Sequence, residues 1–62
     1  MSRIYNILIV EDEMIIAANI SLQLATHGYK VLGIIPRGEE VLPFLKLHLP
    51  HIILMHYRTI YL

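Results

Sequence analysis

Three short apolar runs alternate with two longer stretches of helical period. Residues 3 to 10, RIYNILIV, end in four large or β-branched apolar residues and then meet Glu11, Asp12 and Glu13, so a buried strand is expected to stop where the charges begin. From about Asp12 to His27 the apolar positions recur at helical spacing. Asp12 is the expected N-cap, with acid in the first turn, and Gly28 is the expected C-terminal stop. KVLGII, residues 30 to 35, reads as a second strand closed by Pro36. Residues 38 to 49, GEEVLPFLKLHL, read as a second helix closed by Pro50, and residues 52 to 56 as a third strand. Pro43 disturbs the second helix, because a proline beyond the first turn removes a hydrogen bond at ~3 kcal/mol, so a distorted or delayed start near Leu42 is expected. The order β-α-β-α-β with continuous apolar runs predicts an α/β domain over residues 1 to 62: a parallel sheet, right-handed crossovers and helices on its faces.

The first helix carries two apolar stripes. At 100° per residue Ile16, Ala17, Ile20, Leu24 and His27 share one face, while Met14, Ile15, Ala18, Leu22 and Ala25 share another. One stripe can cover the sheet; the other calls for a partner. The second helix repeats the pattern, with Val41, Leu42, Phe44, Leu45, Leu47 and Leu49 spread around most of its circumference.

Composition sharpens this picture. A chain of 62 residues buries only about 60% of its unfolded surface and is marginal alone. With no cysteine, disulfides and thiolate metal sites are excluded. Yet 56% of the residues are apolar and 16% charged, an apolar excess that points to burial between chains. The formal charge is zero, so no basic field recruits nucleic acid or a membrane surface. No apolar run approaches the ~20 residues needed to span a bilayer, and the first segment lacks the shape of a signal peptide. The expected location is the cytoplasm.

ILIVEDE followed by an amphipathic helix, then HGYKVLG, RGEE and LPHIILMHYR, resembles the N-terminal half of a response-regulator receiver domain, the flavodoxin-like module of two-component phosphorelays. The resemblance covers essentially the whole chain, in order. It implies a three-stranded parallel sheet of order 2-1-3 flanked by two helices. It also implies that the acid pair Glu11 and Asp12 binds magnesium, that the phosphoacceptor position is His56, and that the main chain of Arg58 completes the metal site. Here the sequence departs from the family. His56 stands where the family has its aspartate, and an imidazole cannot form the acyl phosphate. His51 stands where an aspartate is common. The fourth and fifth strands are not among the 62 residues, and YRTIYL replaces a loop of proline and glycine with residues that favour a strand.

Each candidate group also has a plainer role. Glu11, Asp12 and Glu13 suit a helix N-terminus whether or not a metal binds. If one does, magnesium prefers oxygen ligands, whereas His56 with Asp12 better suits zinc, nickel or copper. The plain reading of His56 is a half-exposed residue at a strand end or subunit contact. His51 and His56 lie roughly 16 Å apart along an extended strand and cannot share one ion within a chain. His27 and His48 fit helix C-termini. Gly28, Gly33 and Gly38 form no phosphate-cradling loop, and Ser2 and Ser21 lack a nucleophile motif.

The expectation is therefore a truncated or engineered receiver-like scaffold fragment with no enzymatic activity and no cofactor, self-assembling as a homodimer. Its third strand would pair antiparallel with a second copy. Ile53, Met55 and Tyr57 are expected at that seam, followed by Thr59, Ile60 and Tyr61, with Ile15 and Leu22 from the first helix. The alternatives are a truncated receiver that takes phosphate from a histidine kinase and binds magnesium at Glu11 and Asp12, and a histidine–carboxylate protein that binds zinc or nickel.

Overall fold

Residues 3–56 are described by the computed structural model. Strand β1 (Asn6–Val10) leads to helix α1 (Met14–Thr26) and strand β2 (Lys30–Ile35). A single 3-10 turn over Gly38–Glu40 runs directly into the short helix α2 (Val41–Leu45), and strand β3 (Ile52–Met55) follows. The sheet is parallel throughout, in the order β2-β1-β3, as expected for two successive crossovers around a central first strand.

Central position explains why ILIV does not alternate. Ile7 and Ile9 face α1 and pack with Ala17, Ile20, Leu24, Val31 and Ile34. Leu8 and Val10 face the other way, toward Ile35, Val41, Phe44 and Leu45. Each face of β1 thus anchors its own half of the core, and Leu8 and Ile9 are completely buried, each contributing about 1.5–3 kcal/mol. The β1–β2 register skips Leu32, a bulge that sets Gly33 beside Leu8. Gly33 faces Phe44, whose ring lies so close that a Cβ there would meet Cε2 at 3.1 Å.

Several boundaries shift from those the pattern predicts. β1 begins at Asn6 instead of residue 3, although the carbonyl of Tyr5 still accepts the N–H of Lys30. α1 begins at Met14, with Glu13 as the N-cap and no side-chain cap, so Asp12 does not play that part. Gly28 does end the helix, at φ 89°, the left-handed conformation that glycine adopts without strain. The second helix is much shorter than 38 to 49. Winding by a 3-10 turn first places Pro43 in the first turn of α2, where its missing N–H has no intrahelical partner to lose. Irregular turns carry the chain on to His48, leaving Leu47 and Leu49 in solvent.

The apolar stripes of α1 divide as their spacing predicts: Ala17, Ile20 and Leu24 meet the sheet, while Met14, Ile15 and Leu22 are exposed. α1 makes its sheet contacts chiefly with β1 and β2. Among the described residues β3 is the most exposed strand, with Ile52, Ile53, Leu54 and Met55 each between 38% and 44% exposed. Among the described residues no helix is long and apolar enough to cross a membrane.

Candidate functional site

The strand order reverses between β1 and β3, and at such a switch point the two following segments diverge and leave a crevice at the carboxyl ends of the strands. Here the crevice is a cleft of about 270 Å³. Val10, Glu11 and Asp12 form one wall, residues 36–39 after β2 another, and His56 closes it from the end of β3.

Glu11 is the unusual group. It follows four buried apolar residues and is itself only 1% exposed. Its place is set by the ladder, since its N–H donates to the Ile35 carbonyl at 2.9 Å while the Val10 carbonyl accepts from the His56 N–H at 3.0 Å. The chain is therefore still held between both neighbouring strands when it reaches Glu11. Both carboxylate oxygens are occupied: Oε1 accepts the Glu13 N–H at 3.0 Å, and Oε2 accepts from Nδ1 of His56. A buried carboxylate is costly without hydrogen-bond partners, and the Glu13 N–H and the imidazole supply them. His56 itself is half-exposed, with 54% of its side chain accessible, and Nδ1 is its bonded nitrogen.

The receiver resemblance offers Glu11, Asp12, His56 and Arg58 as candidate metal ligands. Glu11 and His56 do meet, directly. Asp12 lies beyond the last ladder bond and is exposed, so the partner of His56 is Glu11 and not Asp12. Arg58 lies outside the described residues. Among the described residues no group of three or more His, Asp or Glu side chains is placed to hold a metal ion. With one Glu11 oxygen on the Glu13 N–H and the other on His56, the described geometry is that of an imidazole–carboxylate pair.

The remaining histidines serve the fold. His51 and Asn6 form a reciprocal clamp at the start of β3: the His51 N–H donates to the Asn6 carbonyl at 2.8 Å, and His51 Nδ1 accepts the Asn6 N–H at 2.9 Å. Tyr5 packs edge-on against the same ring, at 5.4 Å between centroids. Reading the sequence alone missed this clamp, because it joins side chain to main chain across 45 residues. His27 Nδ1 bonds the Gln23 carbonyl in the last turn of α1, and His48 packs on Phe44.

Of the expected seam residues, Ile53 and Met55 lie on the open strand and Ile15 and Leu22 on the outer face of α1. Tyr57, Thr59, Ile60 and Tyr61 fall outside the described residues. Comparison with protein-family models, with curated proteins and with solved structures finds no match, so the functional reading rests on the geometry of the cleft and of β3.

Proposed function

We propose that this chain is a receiver-like βαβαβ half-domain of the cytoplasm whose role is self-assembly, with no phosphoacceptor chemistry, and that it works as a homodimer joined through β3. The observation that carries this reading is the state of β3. Natural sheets blunt an open edge with charge, proline or a covering element, yet Ile52–Met55 contain neither charge nor proline, and each is 38–44% exposed among the described residues. Among the described residues seven apolar side chains are buried, a small core for an independent domain, and pairing adds to it the strand that is most exposed. Two copies of a chain with zero formal charge bring no net repulsion to the contact.

The cleft supports the second half of the reading. At the position that would accept a phosphoryl group stands an imidazole whose Nδ1 is bonded to Glu11, and an imidazole cannot form an acyl phosphate. Sedimentation equilibrium at micromolar concentration tests the assembly. A species of twice the chain mass is expected, converting to monomer in Ile53→Lys, which places a charge on the open edge at a position that is 38% exposed. A monomeric parent chain, or a dimer indifferent to I53K, would remove the proposal.

A further inference from the structure

Three of the histidines are held at Nδ1, and the partner of each decides what is left at Nε2. A main-chain N–H only donates, whereas a carbonyl or carboxylate oxygen accepts, so the partner fixes the tautomer of the neutral ring. His51 Nδ1 accepts the Asn6 N–H at 2.9 Å, and its hydrogen is therefore on Nε2. His27 Nδ1 donates to the Gln23 carbonyl at 2.8 Å and His56 Nδ1 donates to Glu11 Oε2, so both keep a lone pair on Nε2. Partner and setting separate these two. His27 is exposed at a helix end with a neutral carbonyl behind it, while His56 lines the cleft with a carboxylate behind it.

That carboxylate is well held. Glu11 is 1% exposed, its N–H is tied to the Ile35 carbonyl and its Oε1 to the Glu13 N–H, so Oε2 is a fixed acceptor. Nδ1 of His56 turns inward to it, which leaves the opposite side of the ring, the Cδ2–Nε2 bond, as the accessible one. A carboxylate behind Nδ1–H orients the ring, raises the basicity of Nε2, and stabilises the positive charge that the ring acquires once Nε2 forms a bond.

We propose that the cleft is an acyl-transfer site in which His56 Nε2 is the nucleophile, Glu11 is the residue that positions it, and the substrate is a small uncharged carboxylic ester. Nε2 adds its lone pair to the ester carbonyl carbon, and the C–O bond to the leaving alkoxide breaks with its electron pair, which leaves an N-acyl imidazolium beside Glu11. Water then adds to the same carbon, the C–N bond breaks, and its electron pair returns to Nε2. One proton of that water passes to the alkoxide, so the net reaction is ester plus water to acid plus alcohol. The cleft volume of about 270 Å³ is below the ~300–1,000 Å³ of pockets for drug-sized ligands, which suits a short acyl group. Among the described residues that line it, Glu11, Asp12 and Glu39 set three carboxylates against the guanidinium of Arg37, a balance that disfavours an anionic ester. The assignment does not depend on the proposed self-assembly.

The unsubstituted chain carries its own controls, because its histidines are His27, His48, His51 and His56 alone. Diethyl pyrocarbonate, an activated acyl compound, attacks a ring nitrogen that bears a lone pair. After brief exposure at about pH 8, where ordinary imidazole is neutral, peptide mass spectrometry should show His56 modified at least tenfold faster than His27, with His51 slowest of the three. His56 reacting no faster than His27 would overturn the proposal, since the two share a tautomer and differ in the carboxylate and the cleft. Turnover is read with para-nitrophenyl acetate. Nitrophenol release should pass one equivalent and exceed that from the same concentration of free imidazole at least tenfold, and it should fall at least tenfold in His56→Gln. A rate equal to that of free imidazole, or one undiminished in H56Q, would overturn the proposal; the comparison with imidazole needs no variant and stands even where H56Q fails to fold. In Glu11→Gln, which keeps an acceptor but no charge, kcat should drop at least threefold with KM unchanged. Nitrogen NMR of the unsubstituted chain completes the test, because hydrogen on His56 Nε2 in place of Nδ1 would overturn the positioning role of Glu11 without any substitution.

Discussion

Replacing His56 by alanine should destabilise the fold although the residue is half in solvent. Glu11 is 1% exposed and uses both carboxylate oxygens, one on Glu13 and one on His56, so the substitution leaves Oε2 without its donor. Removing one partner of a fully buried pair costs about 3–5 kcal/mol. Here 54% of the His56 side chain is accessible, so water reaches the vacated position and the cost falls to about 1–2 kcal/mol, near that of one charge-assisted hydrogen bond. Glu11→Gln should cost a similar amount, since an amide keeps one acceptor but turns an N–H toward the other donor. The double variant should lose less than the two single losses together, with a coupling of about 1 kcal/mol. Urea unfolding followed by far-ultraviolet circular dichroism measures all four proteins, at one fixed concentration because assembly makes the midpoint depend on it. With a slope of about 1 kcal/mol/M for a chain this small, H56A should lower the midpoint by about 1–2 M. Additive losses, or an unchanged midpoint in H56A, would show that the pair does not hold the carboxylate in place.

Two glycines give further tests. Gly28 sits at φ 89° with open space around its Cα, so Gly28→Ala should cost about 1 kcal/mol from backbone strain alone, and Gly28→Asn should cost less; thermal melts that rank alanine at or above asparagine would contradict this. Gly33→Ala drives a Cβ to 3.1 Å from Phe44 Cε2, and should destabilise by about 1 kcal/mol with Phe44 present but not in the Phe44→Leu background. Equal losses in both backgrounds would place the strain elsewhere.

The apolar pattern decided the order of elements and the buried role of ILIV, because those depend on runs and periods that survive without partners. It also separated the two stripes of α1: Ala17, Ile20 and Leu24 went to the sheet and Ile15 and Leu22 to solvent, as a period of 3.6 requires. Gly28 as a helix stop was equally legible, since few residues other than glycine take φ near 90° cheaply. The end of the second helix was not. Leu47 and Leu49 look like a continuing stripe, but the chain unwinds once Val41, Phe44 and Leu45 have met the sheet, and among the described residues the later leucines stay exposed.

Tertiary structure alone decided which acid is the special one. In sequence Glu11, Asp12 and Glu13 are three interchangeable carboxylates before a helix, and Asp12 is the better cap by residue type. The ladder chose otherwise: the backbone is still bonded to β2 at Glu11 and to β3 at Val10, so Glu11 turns inward to His56 while Asp12, one residue on, is released to solvent. The same is true of β3. Its apolar run announces a core strand, but whether such a strand is covered depends on where the crossovers lay their helices. Here they serve chiefly β1 and β2, which leaves Ile52–Met55 the most exposed strand among the described residues.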